Sequence, residues 1–445
     1  MGCDMVVALS RATQDGGTFF AHNCNQPGNE KLRLLRVAGR IFAPGECVQT
    51  GTLLLPQARQ TWTVLGSQRP GQWGYLHGLN EHGVSIGLTS IRTRRRESGF
   101  GLTGSDLVRL GLERATSARQ GVDVLTNLAN RHGQGADDAE RDPAFLIADG
   151  REAFVLEMFG PHWAMQHVRE VRAVSDVCHL RQDWDHLSHG LADLAIARGW
   201  WPANGSKLDF AAAVAPGSGD NAPSWRRWGR AMMLLEEANG QVDLAVLRRL
   251  MSDHFEDCVD AVDPSKTSVM VGRAEKLTTL CRHAATPSGL RTAASLITQC
   301  GPDKVLPIAW YCFGSPCAGV YFPLLLVGEL PPALQTPSPL AGSRSGGWLR
   351  RWQPDSPREE AALAVPRAIL AGLQERFDQE TTEFVAEVRE LCQRGESNEV
   401  PRLAELFMQH NLECWENICS EFTPAPTRGR RVPAESEFHS SGAWS

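Results

Sequence analysis

The opening of the chain is its most constraining feature, because residues 5–9 and 18–21 form two short apolar runs separated by a turn. Residues 14–17 between them contain the pair Asp15-Gly16. An Asp-Gly turn between two apolar runs is a strong signal for a β-hairpin. The chain is therefore expected to begin inside a sheet, with Cys3 at the start of the first strand.

Strand and helix signals then follow one another in blocks. Residues 104–132 have apolar positions at helical spacing, with a second helix starting near Ser117. Further helices are predicted at residues 185–198, 224–239 and 244–254. Strands are predicted at residues 60–65, 84–88, 144–148, 153–157, 292–297, 308–313 and 320–330. Strands first, helices next and strands again indicate a layered α+β domain.

Composition divides the chain into four parts. Residues 1–335 carry the strand and helix signals and are predicted to form one domain. Residues 336–358 are rich in Pro, Ser and Gly, which favours a linker or a long surface loop. Residues 359–421 predict a helical appendage, because their apolar residues recur at helical spacing. Residues 422–445 are polar and contain Pro, which favours a disordered tail.

Charge and composition exclude some classes of partner. The formal net charge is −6, which argues against a broad nucleic-acid surface. No apolar stretch approaches the ~20 residues that span a bilayer, so no membrane partner is expected. A secretory signal is not recognisable, and the 12 cysteines form no disulfide framework. These features predict a cytoplasmic protein and leave a homo-oligomer open.

Cys3 is the residue at the start of the first strand that can carry chemistry. A free α-amine titrates near ~7.7–8.0 and a thiol near ~8.5, so an amine can accept the proton of a neighbouring thiol close to neutral pH. A cysteine whose own α-amine is free therefore combines nucleophile and general base in one residue. This arrangement requires that everything before Cys3 be removed, including Gly2.

The segment 3–27 resembles the opening of secernins and related dipeptidases. These proteins belong to the cysteine N-terminal-nucleophile (Ntn) hydrolases, together with penicillin V acylase and bile-salt hydrolase. The similarity continues through residues 69–74, 78–84, 106–115, 131–135, 145–149, 155–157, 199–201, 292–295 and 313–316. The resemblance implies a four-layered αββα fold. It also implies hydrolysis of a C–N bond in a short peptide, as a dipeptidase does, or in a related amide.

The resemblance also implies roles for individual residues. Cys3 is the nucleophile, His22 and Asn25 position its amine, and Asp176 stands where a donor to the oxyanion is expected. Contacts with a small peptide or amide substrate are expected from Asn80, Thr89 and Arg226. Acyl transfer to a cysteine needs no metal and no organic cofactor, so none is predicted.

Four positions depart from the family pattern. His22 replaces a Lys or Arg, and Asn25 replaces an Asp that would hold the terminal amine. Leu88 and Asp176 each stand where relatives carry an Asn. An ionised carboxylate at position 176 cannot donate a hydrogen bond to an oxyanion. These departures keep a second hypothesis open, an inactive relative that serves as a binding or scaffold module.

A metal-binding protein is a third alternative. Cys281-Arg282-His283 and the pair Cys312 and Cys317 offer soft ligands. Neither spacing is that of a zinc ribbon, so the sequence predicts that no metal is bound.

Overall fold

The computed structural model describes residues 2–27, 30, 32–95, 99–135, 141–217, 221–256, 278–283, 289–301, 306–334 and 366–422. It has a mixed helix and sheet architecture. Its strands are β1 (Asp4–Ala8), β2 (Thr18–Pro27), β3 (Arg33–Val37), β4 (Cys47–Gln49), β5 (Leu54–Pro56), β6 (Val64–Gln68), β7 (His77–Asn80), β8 (Ser85–Arg92), β9 (Arg141–Ala148), β10 (Ala153–Phe159), β11 (His162–Val168), β12 (Val171–Val174), β13 (His186–Leu187), β14 (Leu290–Cys300), β15 (Ile308–Phe313) and β16 (Phe322–Leu325).

The helices come in three groups along the chain. They are α1 (Gly104–Arg114), α2 (Ala118–His132), α3 (Leu191–Ala197), α4 (Phe210–Val214), α5 (Ala222–Glu237), α6 (Leu244–Met251), α7 (Arg367–Gln393) and α8 (Val400–Phe422). Short 3-10 turns occur at Pro316–Ala318 and Ser397–Glu399. None of the helices described combines the length and the apolarity that crossing a bilayer requires.

Two antiparallel, open sheets form the centre of the molecule. The first sheet has six strands in the order β12-β1-β2-β14-β15-β16. The second sheet has eight strands in the order β13-β11-β10-β9-β8-β7-β6-β3. Strands β4 and β5 form a separate two-stranded ribbon. The first strand is therefore paired on both sides, by β12 and by β2.

Three apolar clusters hold these layers together. Between the sheets, Met5 and Phe20 of the first sheet pack with Leu146 and Val155 of the second. The outer face of the second sheet is covered by α1 and α2. The outer face of the first sheet is covered by α5, α6, α7 and α8. Because both faces of each sheet are buried, inner strands such as β10 are buried along their whole length.

The opening hairpin forms as predicted. Strands β1 and β2 pair antiparallel with Asp4 opposite Asn23. In the turn, Asp15 Oδ1 accepts the backbone N–H of Gly17 at 2.9 Å. Gly16 has a φ of +73°, a left-handed conformation that glycine adopts without steric cost. The hairpin places Cys3 directly beside the end of β2.

Most other predicted elements are confirmed, with boundary shifts. The helix predicted at 185–198 begins only at Leu191, because His186–Leu187 pairs with β11 as a strand instead. The strand predicted at 60–65 lies at Val64–Gln68. Helices α7 and α8 cover most of the predicted appendage 359–421, of which residues 359–365 are not described; that this segment is an appendage stays a prediction. The linker predicted at 336–358 and residues 423–445 of the predicted tail lie outside the described residues.

Candidate active site

Cys3 immediately precedes β1, the second strand of the first sheet, and its side chain has no exposed surface. The return strand β2 brings Cys24 and Asn25 alongside it. The backbone N–H of Asn25 donates to Cys3 Sγ at 3.4 Å. Cys3 Sγ also lies 4.0 Å from the carbonyl oxygen of Asn25. The thiol is therefore held by the strand that the sequence predicts as its hairpin partner.

The surroundings of Cys3 favour its thiolate form. A hydrogen bond from the Cys24 side chain holds the pKa of the Cys3 thiol well below its ordinary value, against the effect of burial. The charge of His22 and the backbone N–H of Asn25 lower this pKa further. Burial and the adjacent Cys3 raise the pKa of Cys24 well above its ordinary value. Cys24 thus remains a thiol and can donate to the Cys3 sulfur.

Thr89 of β8 binds the backbone of the nucleophile. The N–H of Cys3 donates to Thr89 Oγ1 at 3.1 Å, and that hydroxyl donates to the carbonyl oxygen of Cys3, also at 3.1 Å. Since a hydroxyl has one proton and two lone pairs, Thr89 would accept an N–H of a free α-amine and leave the amine lone pair available. The sequence interpretation placed Thr89 at the substrate; the structure places it at the backbone nitrogen of Cys3.

The amide of Asn25 has a single orientation that satisfies its neighbours. Thr292 Oγ1 accepts the backbone N–H of Arg282 at 3.0 Å, so its own proton points to Asn25 Oδ1 at 2.9 Å. Asn25 Nδ2 consequently donates to the carbonyl oxygen of Gly2 at 2.7 Å and to Asp4 Oδ2 at 3.2 Å. The carbonyl oxygen expected to hold the amine is therefore already used. Asn25 presents a donor, which is the reverse of the expected role.

Two carboxylates and an arginine form a buried ion network behind Cys3. Arg227 of α5 donates from Nε to Asp4 Oδ1 at 3.0 Å and from Nη2 to Asp176 Oδ1 at 2.5 Å. The hydroxyl of Ser175 donates to Asp4 Oδ1 at 2.6 Å. Burial raises the pKa of Asp4 despite the arginines nearby. Burial also works to raise the pKa of Asp176, but Arg227 and Arg282 hold it below its ordinary value.

Asp176 and Arg282 face the residue that precedes the nucleophile. A Cβ atom placed on Gly2 would lie 2.6 Å from Asp176 Oδ2 and 3.3 Å from Arg282 Nη1. Arg282 is buried, and its Nε has no hydrogen-bond partner within the described part of the chain. A side chain at position 2 would therefore require the Asp176 carboxylate to move, and Gly2 lies between a negative and a positive group. Asp176 does not act as the expected hydrogen-bond donor, because it accepts from Arg227.

His22 belongs to a buried hydrogen-bonded chain. Its Nδ1 lies 2.9 Å from Nδ1 of His77, whose Nε2 lies 2.7 Å from Ser67 Oγ. Ser67 Oγ in turn lies 2.9 Å from the hydroxyl of Tyr311. Burial, and then the charge of His22, lower the pKa of His77 well below its ordinary value, so His77 is neutral. His22 Nε2 is buried and has no hydrogen-bond partner among the described residues, which leaves it for the thiol rather than for the amine.

Two of the predicted substrate contacts lie elsewhere. Asn80 donates from Nδ2 to the carbonyl oxygens of Leu112 and Ala115, so it fixes the end of α1. Arg226 is exposed on α5, and the next residue, Arg227, is the one that reaches the ion network. Leu88, at a departure from the family pattern, is buried in the apolar cluster under α1. The structure thus brings Cys3, His22, Asn25 and Asp176 together.

Sequence reasoning missed Arg227, Arg282 and Thr292. A signal for Arg227 exists, because Ala231 and Leu235 follow it at helical spacing and are buried. Such an apolar stripe indicates which arginine of α5 faces inward. No comparable local pattern marks Arg282, whose neighbour in space, Gly2, is far away along the chain.

No protein-family model matches the chain. Solved structures that overlap with it include a mutant of conjugated bile acid hydrolase from Clostridium perfringens, at 12% identity over 70% of this chain and 89% of that one, with a TM-score of 0.36. Penicillin V acylase from Agrobacterium tumefaciens overlaps at 12% identity over 75% and 88%, with a TM-score of 0.37. The Caenorhabditis elegans ortholog of N-acylethanolamine-hydrolyzing acid amidase overlaps at 11% identity over 67% and 92%, with a TM-score of 0.33. Overlaps this distant carry no residue roles or substrates to this chain, which depend on its own geometry.

Proposed function

We propose that this protein is a cysteine Ntn hydrolase of the secernin and dipeptidase kind, with Cys3 as nucleophile and its two sheets and flanking helices arranged as αββα. It cleaves the C–N bond of small peptides or related amides. One observation carries the proposal. Asn25 Nδ2 donates to the carbonyl oxygen of Gly2 at 2.7 Å, while the N–H of the same residue donates to Cys3 Sγ. A thiol and a donor to a carbonyl oxygen thus meet at one peptide bond.

Maturation is the first reaction that this geometry supports. Cys3 Sγ attacks the carbonyl carbon of Gly2, and the negative charge on the oxygen is stabilised by Asn25 Nδ2. The C–N bond between Gly2 and Cys3 breaks, and the departing nitrogen takes up one proton, from the thiol or, where Cys3 reacts as a thiolate, from solvent. Water then hydrolyses the thioester, so the segment before Cys3 leaves as a carboxylic acid. The products are a free thiol and a free α-amine on Cys3.

Substrate turnover repeats the same chemistry with the amine as base. The α-amine of Cys3, held by Thr89 Oγ1, takes the thiol proton and delivers it to the leaving nitrogen of the substrate. Asn25 Nδ2 again faces the oxygen that becomes negatively charged. Removing one donor of this kind typically costs ~10²–10³ in rate.

The groups beside Gly2 favour a peptide with a free amino group. Removing Gly2 leaves a space bordered by Asp176 Oδ2 and Arg282 Nη1. Because the pKa of Asp176 lies below its ordinary value, owing to Arg227 and Arg282 against burial, its carboxylate can bind an ammonium group. Arg282 can donate to a carbonyl or carboxylate oxygen of the same molecule. A dipeptide offers both groups within a short distance. A cytoplasmic location, and the exclusion of nucleic-acid and membrane partners, stay predictions.

An inactive binding module is the second candidate. It is favoured by the complete burial of Cys3 Sγ and by the carboxylate of Asp176 close to the reacting peptide bond. In that case the Gly2–Cys3 bond stays intact and the α-amine never forms.

Intact mass and N-terminal sequencing of the purified protein test the proposal first. We expect a chain that begins at Cys3, together with hydrolysis of dipeptides that is faster than hydrolysis of the same dipeptides with an acetylated amine. Cys3→Ala should abolish both cleavage and turnover. The exposed Cys47 provides the matched control, since Cys47→Ser should change neither. A chain that retains Gly2 and turns over no dipeptide supports the inactive module instead.

A further inference from the structure

The structure brings four metal-ligating side chains together outside the candidate active site. They are His254, Cys281, His283 and Cys317, and their ligand atoms all lie within 4.8 Å of one another. His254 follows the end of α6, and Cys317 lies in the 3-10 turn after β15. His283 is 29 residues from His254 and 34 residues from Cys317. Three separate segments of the fold therefore converge on one point.

Three of the six distances between ligand atoms, those from His283 Nε2, are close to the distances in a tetrahedral zinc site. His254 Nε2 and His283 Nε2 are 3.0 Å apart. His283 Nε2 lies 3.6 Å from Cys281 Sγ and 3.3 Å from Cys317 Sγ. A tetrahedron with Zn–S bonds of about 2.3 Å and Zn–N bonds of about 2.0–2.1 Å separates its ligand atoms by about 3.3–3.8 Å. These three separations agree with the tetrahedral values to about 0.3 Å, and the remaining ones lie within 4.8 Å.

The residues around His254 fix the ring in the orientation that a metal ligand needs. Its Nδ1 lies 3.1 Å from Glu256 Oε1, so Nε2 is the nitrogen that points into the cluster. A carboxylate on the second ring nitrogen is the usual outer partner of a metal-bound histidine. Phe255, between these two residues, has a φ of +64°. Such a conformation is costly for a bulky residue, and here it turns Glu256 back toward the imidazole.

The segments that carry the ligands are held in place independently. Asn23 Nδ2 donates to the carbonyl oxygens of Met251 and Leu280, just before His254 and Cys281. The N–H of Cys281 donates to the carbonyl oxygen of Asp253 at 3.1 Å. A side chain of β2 thus anchors the two segments that carry the buried ligands His254 and Cys281, whereas His283 is exposed and Cys317 is half-buried. A cleft of about 310 Å³, lined in part by Cys317 and His254, gives an ion access to it.

We propose that His254, Cys281, His283 and Cys317 bind one structural zinc ion. Two thiolates and two imidazoles are the donor set that tetrahedral zinc prefers, and two thiolates balance the charge of Zn²⁺. Both cysteines are free thiols in the structure. With four protein ligands the ion has no position for water or substrate, so its role is to fix the fold. The sequence prediction of no metal relied on the spacing of neighbouring ligands. It did not identify this site, because His254 and Cys317 are distant in sequence from Cys281 and His283.

The zinc site is connected to the candidate active site through Arg282. This residue lies between two of the ligands, and its backbone N–H donates to Thr292 Oγ1, whose proton orients the Asn25 amide. The ion would hold the segment 281–283, which sets this hydrogen-bond chain. The proposal for the metal does not depend on the proposed hydrolase activity, because metal content is measured without any substrate.

The test is elemental analysis of the chain, produced without a polyhistidine tag in zinc-supplemented medium. We expect about one zinc ion per chain. In Cys317→Ser and in Cys281→Ser, we expect the affinity for zinc to fall by at least about tenfold. Glu256→Gln should weaken zinc binding by about 10–100-fold without removing a ligand. Cys392→Ser is the matched control, because Cys392 is exposed on α7 and remote from the cluster in the fold.

A second measurement keeps the proposal testable if a ligand variant fails to fold. Wild-type protein freed of metal by a chelator is titrated with Co²⁺, which gives visible bands of tetrahedral geometry and a thiolate charge-transfer band when two sulfurs bind it. Both sets of bands, displaced by one equivalent of Zn²⁺, support the site. Wild-type protein with no stoichiometric zinc and no such cobalt bands overturns it. Zinc that remains stoichiometric in a folded Cys317→Ser variant also overturns it.

Discussion

At the scale of single residues, the proposed cleavage of the Gly2–Cys3 bond depends on the orientation of the Asn25 amide. Its side chain donates to the Gly2 carbonyl oxygen because Thr292 occupies its own carbonyl oxygen. Asn25→Asp replaces that donor by an acceptor next to Asp4. We therefore expect cleavage at Gly2–Cys3 to slow by ~10²–10³. Time-resolved intact mass of freshly purified protein measures this rate.

Thr292→Val is the companion variant for Asn25. It removes the hydroxyl that fixes the amide but leaves both Asn25 and Cys3 unchanged. We expect an intermediate loss of cleavage rate, because the amide can then rotate its oxygen toward Gly2. Equal rates in wild type, Asn25→Asp and Thr292→Val would contradict the oxyanion role.

Glu157 makes a second prediction at the residue scale, through the pH dependence of stability. Burial raises the pKa of its carboxyl to about 7, although the N–H groups of His179 and Leu180 work in the opposite direction. In the unfolded chain a glutamate titrates near ~4.3. Between these values the folded state keeps a proton that the unfolded state has lost. The free energy of unfolding therefore falls as pH rises through this window.

Glu157→Gln should remove this loss, because a glutamine stays neutral at every pH. The unfolding free energy of the variant minus that of the wild type should increase from pH 5 to pH 8, by at most about 3 kcal/mol. Denaturant unfolding across that range measures it. Using the difference cancels other titrating groups, such as the buried His179, whose pKa burial lowers to about 3. For the control Glu237→Gln, on the exposed side of α5, this difference should not change with pH. A difference that also stays constant for Glu157→Gln would mean that the Glu157 carboxyl is ionised throughout the range.

At the scale of elements, the sequence predicts the hairpin and the long helices because their signals are local. Asp15-Gly16 sets a turn, and Thr103 and Asp106 form a capping box that starts α1. Strands such as β11 and β12 escape prediction because their residues are only partly apolar and are defined by pairing with β10 and β1. Element identity is thus predictable where the turn or cap chemistry is in the segment itself.

The packing of α1 gives a prediction at this scale. A Cβ atom on Gly74 would lie 2.2 Å from the backbone carbon of Ser105 and 2.4 Å from the nitrogen of Asp106. Gly74→Ala must therefore push the first turn of α1 away from the second sheet, at a cost of about 1–3 kcal/mol. Gly372→Ala is the matched control. Gly372 lies on the exposed side of α7, and a Cβ atom there would meet nothing within 4 Å. It should stabilise the protein by about 0.5–1 kcal/mol. Thermal unfolding of both variants checks the opposite signs.

At the scale of the whole molecule, the two candidate sites depend on contacts that no local pattern encodes. Cys3 and Asn25 are joined by a hairpin, so their proximity is predictable. Arg227 and Arg282 reach the same place from distant segments, as do His254 and Cys317 at the proposed zinc site. Hydrophobic patterning fixes which faces are buried but not which distant segments meet. For this reason the candidate nucleophile Cys3 can be proposed from the sequence, whereas the groups that surround it cannot.

The C-terminal helices show how far this interdependence extends. Phe377 of α7 has no exposed surface, and its ring lies 5.4 Å from that of Phe322 in β16. The ring of Trp415 in α8 also packs against Phe322, with ring centres 5.6 Å apart. The helices thus complete the apolar cluster that covers the first sheet, the sheet that carries Cys3. If this cluster unfolds as one cooperative unit, a destabilising substitution in α7 also lowers the stability of β1.

Phe377→Ala tests this coupling. We expect it to lower the free energy of unfolding by about 3–5 kcal/mol. Leu406→Ala on α8, whose side chain is 58% exposed, should change it by less than about 0.5 kcal/mol. Hydrogen exchange resolves where the loss occurs. In a single cooperative core, amides of β1 and β2 exchange faster in Phe377→Ala by the same factor as amides of α7. Faster exchange confined to α7 and α8 would instead mean that the helices open as a separate unit, leaving the sheet around Cys3 intact.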